Sequence, residues 1–370
     1  MKLAFVIFRY FPHGGLQKDF LSIAKEAIAR GNSVTAFVAE QEGDLPFPVC
    51  RLEVNGRSNH SRMKDFEAKV HTALREEYPD MDKVVMFNRI SGGDFYFAAD
   101  NCLQTEWRKH HSALILKLLP RYRTFLQLEK SVLDPVSSRT KILTIVPRQI
   151  KDYKAVYQTP DERLFLLPPG IDPGCRRPEN IREIRQKICR EFSIPEQNRI
   201  LIQIAAQFRI KGVDRTLRAL ATLPEQYKKD CTLLIVGGDT GALCPGLVKS
   251  LRLQDQVIFT GARSDIPDLL AASDLMVHPA RNESAGSVIT EALAIGIPVI
   301  ASDACGFAPF AGEVDPRLVT PEPFCQQTLN DTLLYALEHL AELQKTAVAS
   351  APSRDFYRRA SAALDLIETC

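Results

Sequence analysis

Two glutamates eight residues apart, Glu283 and Glu291, bracket the small residues Ser284, Ala285, Gly286 and Ser287 in the stretch 278–301, HPARNESAGSVITEALAIGIPVIA. The pattern predicts a strand end, a loop, a helix opening on the small residues, and a second apolar strand over 297–301. A helix that begins there aims unpaired N–H groups and its positive dipole end at whatever lies above, which favours an anion such as a phosphate. Small side chains let that anion come close. Carboxylates on either side accept hydrogen bonds from hydroxyls, so a diphosphate joining two sugars fits the pattern. The same glutamates also read as a solvated cap and surface pair.

The elements that must position this stretch alternate strand and helix along the chain. A continuous apolar run over 3–9 reads as a buried parallel strand, followed by a Gly14-Gly15 turn and an amphipathic helix over 16–30. Further strands are expected at 33–38, 49–54, 84–87, 95–99, 142–146 and 164–167, with helices at 63–76 and 147–157. The segment 101–133 reads as one long helical stretch that Pro120 should kink or interrupt. It carries Trp107, Arg108, Lys109, His110, His111, Lys117, Arg121 and Arg123 around an apolar run, which fits either an anionic membrane surface or a packed helix whose cations face water.

Four prolines, Pro168, Pro169, Pro173 and Pro178, crowd the next span and predict a boundary there. Alternation then restarts. Helices are expected at 181–192, 213–223, 247–251, 266–272, 326–344 and 352–369, and strands at 200–205, 232–236, 257–260 and 317–320. The third of these strands ends in Gly261, and the strand over 232–236 runs into Gly237-Gly238-Asp239. The predicted class is α/β, as two Rossmann-like doubly wound domains: 1–170, 171–350, and a final helix in 351–370 that could pack back on the first.

Composition narrows the function classes. At 370 residues, 45% hydrophobic and 25% charged, the chain is long enough for two cores. A formal net charge of +2 does not suggest a global nucleic-acid binder. Nine scattered cysteines without a C-x-x-C pair argue against a zinc ribbon or disulfide scaffold and read as reduced cytoplasmic thiols. The N-terminal run breaks at Arg9 and reads as a strand rather than a signal peptide. No window reaches the roughly 18 apolar residues of a membrane span, so membrane contact is expected to be peripheral. Asp80 and Asp82 form a D-x-D, but in a polar turn before a strand, the wrong end for a ligand cleft; no metal is expected.

The Gly-Gly turn, LPPGID at the hinge, a basic loop ending in Lys211-Gly212, and the spaced glutamates together resemble the retaining glycosyltransferases of family 4, which have the GT-B architecture with two domains facing a central cleft. Within that family, RYFPHGGLQKDF (9–20), QEGD (41–44), FNRISGGDFYFAAD (87–100), RYR (121–123) and LPPGI (167–171) resemble the enzymes that add glucose to the first heptose of the lipopolysaccharide core. The resemblance implies that Glu283 holds hydroxyls of the donor sugar and Glu291 the ribose. Backbone amides around Ala285, Gly286, Ser287 and Val288 would take the diphosphate.

Lys211 and Arg209 would neutralise the charge building on the departing diphosphate, without a metal; a solvated basic loop is the plain alternative. Ala206 stands five residues before the lysine, where the family commonly has an arginine, and Ile210 directly before it. Gly14 and Gly15 would admit the donor phosphate, or simply make a tight turn. Gly170, Ile171 and Gly237 join the donor-side candidates, with Arg263 near the base. Asp19 and Asp100 are candidate acceptor carboxylates, with capping or core pairing as the competing account; Lys18 is a candidate for acceptor phosphates. Asp100 also joins Lys211, Arg209 and Glu283 as a catalytic candidate, and His278 reads as structural.

The expected activity is transfer of a hexose, glucose from UDP-glucose, onto a heptose of the lipopolysaccharide inner core. The UDP-sugar is a co-substrate and no cofactor is implied. Expected partners are the UDP-sugar, the core acceptor and the anionic cytoplasmic face of a Gram-negative inner membrane, with no nucleic acid. A UDP-sugar epimerase of the same architecture, a transferase for another UDP-hexose such as an N-acetylhexosamine, and a nucleotide binder without turnover remain open. An NAD-dependent oxidoreductase lacks its G-x-G-x-x-G after the first strand.

Overall fold

The computed structural model describes residues 1–12, 14–238 and 243–370. His13 and Asp239, which fall in phrases quoted above, lie outside the described residues. The chain divides into two compact units, one of residues 1–170 and 358–370, the other of residues 171–357.

In the first unit seven parallel strands form one sheet: β1 (Lys2–Tyr10), β2 (Ser33–Gln41), β3 (Val49–Arg51), β4 (Lys83–Met86), β5 (Phe95–Ala98), β6 (Lys141–Thr144) and β7 (Leu164–Leu166). Their order is β3-β2-β1-β4-β5-β6-β7. Leu3 to Ile7 are fully buried, as an apolar run covered on both faces must be. Phe20, on the helix Gly15–Ala29, packs against Phe5 and Phe87 with ring centroids 6.0 and 5.0 Å away. The strand order reverses between β1 and β4, so ligand-binding loops are expected at the carboxyl ends of those strands.

The second unit repeats the plan with β8 (Arg199–Ile204), β9 (Cys231–Val236), β10 (Val257–Gly261), β11 (Leu275–His278), β12 (Val299–Ser302) and β13 (Val319–Thr320), ordered β10-β9-β8-β11-β12-β13. All recorded pairings are parallel. Its reversal falls between β8 and β11, and the loops after those two strands carry Lys211 and Glu283.

Three helical stretches depart most from the sequence expectation, and the strand expected over 317–320 is only Val319–Thr320, after a 3-10 turn at Pro316–Leu318. The segment 101–133 is three helices, Leu103–Arg108, Ala113–Leu118 and Pro120–Leu133. Pro120 does not kink a continuous helix; it starts the third, where its fixed φ and missing N–H carry no penalty. The stretch 326–344 breaks at His339 into Gln326–Glu338 and Leu340–Ser350. The last helix is Arg359–Thr369, preceded by a single 3-10 turn, and it belongs to the first unit. There Arg30 meets Asp365 at 2.6 Å and Glu368 at 3.1 Å.

Candidate active site

The site is built on the reversal point of the second sheet. After β8 the chain runs through Arg209 to Lys211 and turns at Gly212, whose φ of +72° is left-handed. A Cβ on Gly212 would stand 2.1 Å from the Pro279 carbonyl oxygen, so only glycine lets this loop press against the loop after β11. Several bonds fasten the two loops together. The Arg281 N–H donates to the Ile210 carbonyl at 2.7 Å, and its guanidinium donates to the Arg209 carbonyl and to both oxygens of Asp214, each at 2.7 Å. Arg215 donates to the Pro279 and Ala280 carbonyls at 3.1 and 3.3 Å, and Gln203 to the Lys211 carbonyl at 2.8 Å.

The consequence is an ion pair between the Lys211 ammonium and the Glu283 carboxylate, whose side chains are only 22% and 18% exposed. Behind Glu283 the backbone is fixed too. Residue 283 forms a parallel bridge with Cys305, Gly306 N–H donates to the Glu283 carbonyl at 3.3 Å, and Phe307 N–H donates to the Ala285 carbonyl at 2.8 Å. Fully buried His278, at the end of β11, places Nε2 3.4 Å from Glu283 Oε2. Burial pushes the Glu283 carboxyl up, but the His278 contact and the Lys211 charge outweigh it and hold the pKa at about 2.

Directly after Glu283 the chain turns at Gly286, with φ +88°, into the helix Ser287–Ile295. The N-cap residue is a glycine with no side chain to bond the leading N–H groups, and the first turn has no acid. Its leading N–H groups and dipole therefore present an anion-binding end beside a lysine–glutamate pair. Ser287 and Val288 are its first two residues, and Glu291, half-buried, begins the second turn. Such an arrangement can hold a phosphate at the helix end, offset its charge with an ammonium, and accept hydrogen bonds from a sugar at the carboxylate.

The other candidates distribute unevenly. Arg209 is exposed on the same loop as Lys211, with its carbonyl held by Arg281. Gly237 follows β9 with φ +152°, and a Cβ there would meet the Ala205 carbonyl oxygen at 1.8 Å, so packing alone demands glycine. The Arg263 guanidinium is taken up by Asp265 at 2.7 Å and Glu191 at 2.6 Å, leaving its backbone for any role near a base. Ile171 is buried, its N–H bonded to the Phe356 carbonyl at 3.0 Å.

In the first unit Gly14 caps the helix Gly15–Ala29 with ordinary extended geometry, and Gly15 faces open space. Lys18 is exposed. Sequence alone offers Asp19 as an acceptor carboxylate; in the structure both its oxygens take up Arg359 Nη1, at 3.0 and 3.1 Å. Arg359 also donates to the Pro168 carbonyl at 3.2 Å and passes over Gly170, where a Cβ would stand 2.6 Å from its side chain. Asp19 and Gly170 therefore anchor the last helix.

Asp100 is exposed at the end of β5, 3.4 Å from Arg89. Arg89 is itself held by Glu129, a carboxylate of zero exposure that also accepts from the N–H groups of Leu103 and Gln104 and from the Tyr157 hydroxyl. Sequence reasoning misses Glu129, Arg281, Asp214 and Arg215, because each looks like an ordinary surface charge until its distant partner is known. Asp80 and Asp82 stand at the opposite end of the sheet from its carboxyl-end loops, where Asp82 accepts from the Lys2 N–H at 2.6 Å.

Comparison with known proteins agrees with this geometry. The family model for group 1 glycosyl transferases matches residues 184–353. The chain is 38% identical, over 91% of its length and 90% of the other protein, to the lipopolysaccharide glucosyltransferase WaaG of Escherichia coli K12. A crystal structure of WaaG, a glycosyltransferase involved in lipopolysaccharide biosynthesis, superposes with a TM-score of 0.90 at 35% identity, covering both chains completely. Anabaena HepE, solved with UDP and glucose, shares the fold at a TM-score of 0.75 and 20% identity over the whole of both chains. The chain is an α/β protein of GT-B architecture and belongs to the group 1 glycosyltransferases, alongside WaaG.

Proposed function

We propose that the protein transfers glucose from UDP-glucose to a heptose of the lipopolysaccharide inner core, with retention at the anomeric carbon. One observation carries the donor half: the Lys211–Glu283 pair standing beside the glycine-capped start of the helix Ser287–Ile295. The helix end and Lys211 take the diphosphate, Glu283 takes hydroxyls of the sugar and Glu291 the ribose. Lys211 then offsets the charge that grows on the departing phosphate, where a preorganised cation acts without solvent having to reorganise. No metal or cofactor is required in this reading. Similarity to a lipopolysaccharide glucosyltransferase over nine-tenths of both chains supports the acceptor class.

The protein works at the cytoplasmic face of the inner membrane of a Gram-negative bacterium. Supporting this is the helix Ala113–Leu118 and its flank, where Leu114 and Leu118 are 65% and 66% exposed and Ile115 and Leu119 are also exposed. Lys109, Lys117, Arg121 and Arg123 flank them in the sequence and are exposed, Lys109 being paired with Glu106 at 2.7 Å. Exposed apolar side chains with basic residues close in the sequence suit an anionic bilayer surface. Among the described residues no helix is long and apolar enough to cross a membrane.

The test is to incubate the protein with a panel of UDP- and GDP-sugars and heptose-terminated core lipid, with and without EDTA, and identify the sugar transferred. Transfer of glucose that EDTA leaves unchanged is expected. Conversion of the UDP-sugar without acceptor would point to an epimerase, and binding without turnover would remove the catalytic reading.

A further inference from the structure

Lys211 and Glu283 both serve the donor in the reading above, yet in the structure they are paired with each other. An ammonium drawn to a diphosphate leaves that carboxylate in a pocket where only 18% of it meets water. Burial pushes a carboxylate so placed towards its protonated form unless another positive charge faces it, and the protonated acid loses acceptor capacity for sugar hydroxyls. The fold places one candidate within reach.

His278 ends β11 with no exposed surface, and its Nε2 lies 3.4 Å from Glu283 Oε2. Neither ring nitrogen makes a hydrogen bond of good geometry among the described residues, which is unusual for a buried polar ring. Cys305 donates its thiol to the His278 carbonyl at 3.9 Å, and Ser302 is occupied with the Ala280 carbonyl at 2.6 Å. Glu283 is the acid in contact with the ring, and Lys211 lies across that carboxylate.

We propose that His278 is a positioning residue, the resident counter-charge that keeps Glu283 ionised and oriented when Lys211 turns to the diphosphate. This rests on the donor assignment above. Although burial disfavours the imidazolium, the Glu283 carboxylate beside the ring favours it, and the His278 pKa is raised above that of a free imidazole.

The experiment compares UDP and UDP-glucose affinities of the wild type, His278→Gln, Glu283→Gln and the double variant by calorimetry. His278→Gln should weaken UDP-glucose about tenfold, leave UDP within about twofold, and add almost nothing in the Glu283→Gln background. In His278→Gln the acid limb of UDP-glucose affinity should also move to higher pH. Equal losses for both ligands, or a full His278→Gln effect without Glu283, would show a merely structural histidine and overturn the proposal. Should His278→Gln not fold, ¹⁵N shifts of the slowly exchanging buried ring in the wild type with UDP-glucose decide it: doubly protonated at neutral pH supports the proposal, neutral overturns it. A wild type that binds UDP but not UDP-glucose would instead remove the donor reading, so the two failures are distinct.

Discussion

Replacing Lys211 with alanine removes one charge from two jobs, and the structure separates their sizes. Glu283 falls from 4.5 to about 2, against burial, under the joint influence of His278 and Lys211. That fall corresponds to about 3 kcal/mol of preference for the ionised form, of which Lys211 supplies part, so its loss should destabilise by about 1–2 kcal/mol. For a unit of this size that lowers the Tm by about 2–8 °C, and the protein stays folded. Catalysis should suffer more. A preorganised charge aimed at a departing phosphate is worth about 10²–10³ in kcat, whereas KM should move far less. Initial rates of UDP release with UDP-glucose and heptose-terminated core measure both constants, and a melting curve checks folding. Lys211→Arg, which keeps the charge on a differently shaped head, should recover only part of the rate. A folded Lys211→Ala protein with kcat within about threefold of wild type, or with the whole loss in KM, would refute the assignment of Lys211 to the transition state.

Gly212→Ala forces a Cβ against the Pro279 carbonyl at a left-handed φ, so it should destabilise by about 2–3 kcal/mol and part the Lys211 and Glu283 loops, read as a lower Tm together with lost activity. Because the folded Glu283 pKa is depressed, its stabilisation is fully present above about pH 4.5 and lost as pH falls towards about 2; Glu283→Gln should flatten acid melting in that window, and an unchanged acid midpoint would argue against the pair. Leu114→Asp with Leu118→Asp should abolish sedimentation with anionic phospholipid vesicles while leaving turnover on detergent-dispersed acceptor intact; retained vesicle binding would place the membrane contact elsewhere.

Much of the fold is legible locally because its signals are local. Apolar runs at Leu3 to Ile7 and Val299 to Ala301, bounded by turns, admit only buried parallel strands once helices alternate with them. The small residues at 284–287 mark a helix start for a steric reason that needs no partner, and the structure puts that start at Ser287. Pro120 shows the limit of such reading: the residue is correctly a discontinuity, but whether it bends a helix or opens a new one depends on what packs beside it.

By itself, then, the sequence determined the two-unit α/β plan and a helix start among small residues with charged loops beside it, since periodicity, glycine and charge act over a few neighbouring residues. Only the tertiary structure decided which charges meet. Lys211 finds Glu283 across 72 residues, Arg281 finds Asp214 across 67, and Asp19 is taken by Arg359 across 340. Those pairings depend on β8 lying next to β11 and on the last helix returning to the first unit, and the order of strands in a sheet is a property of the packed chain as a whole.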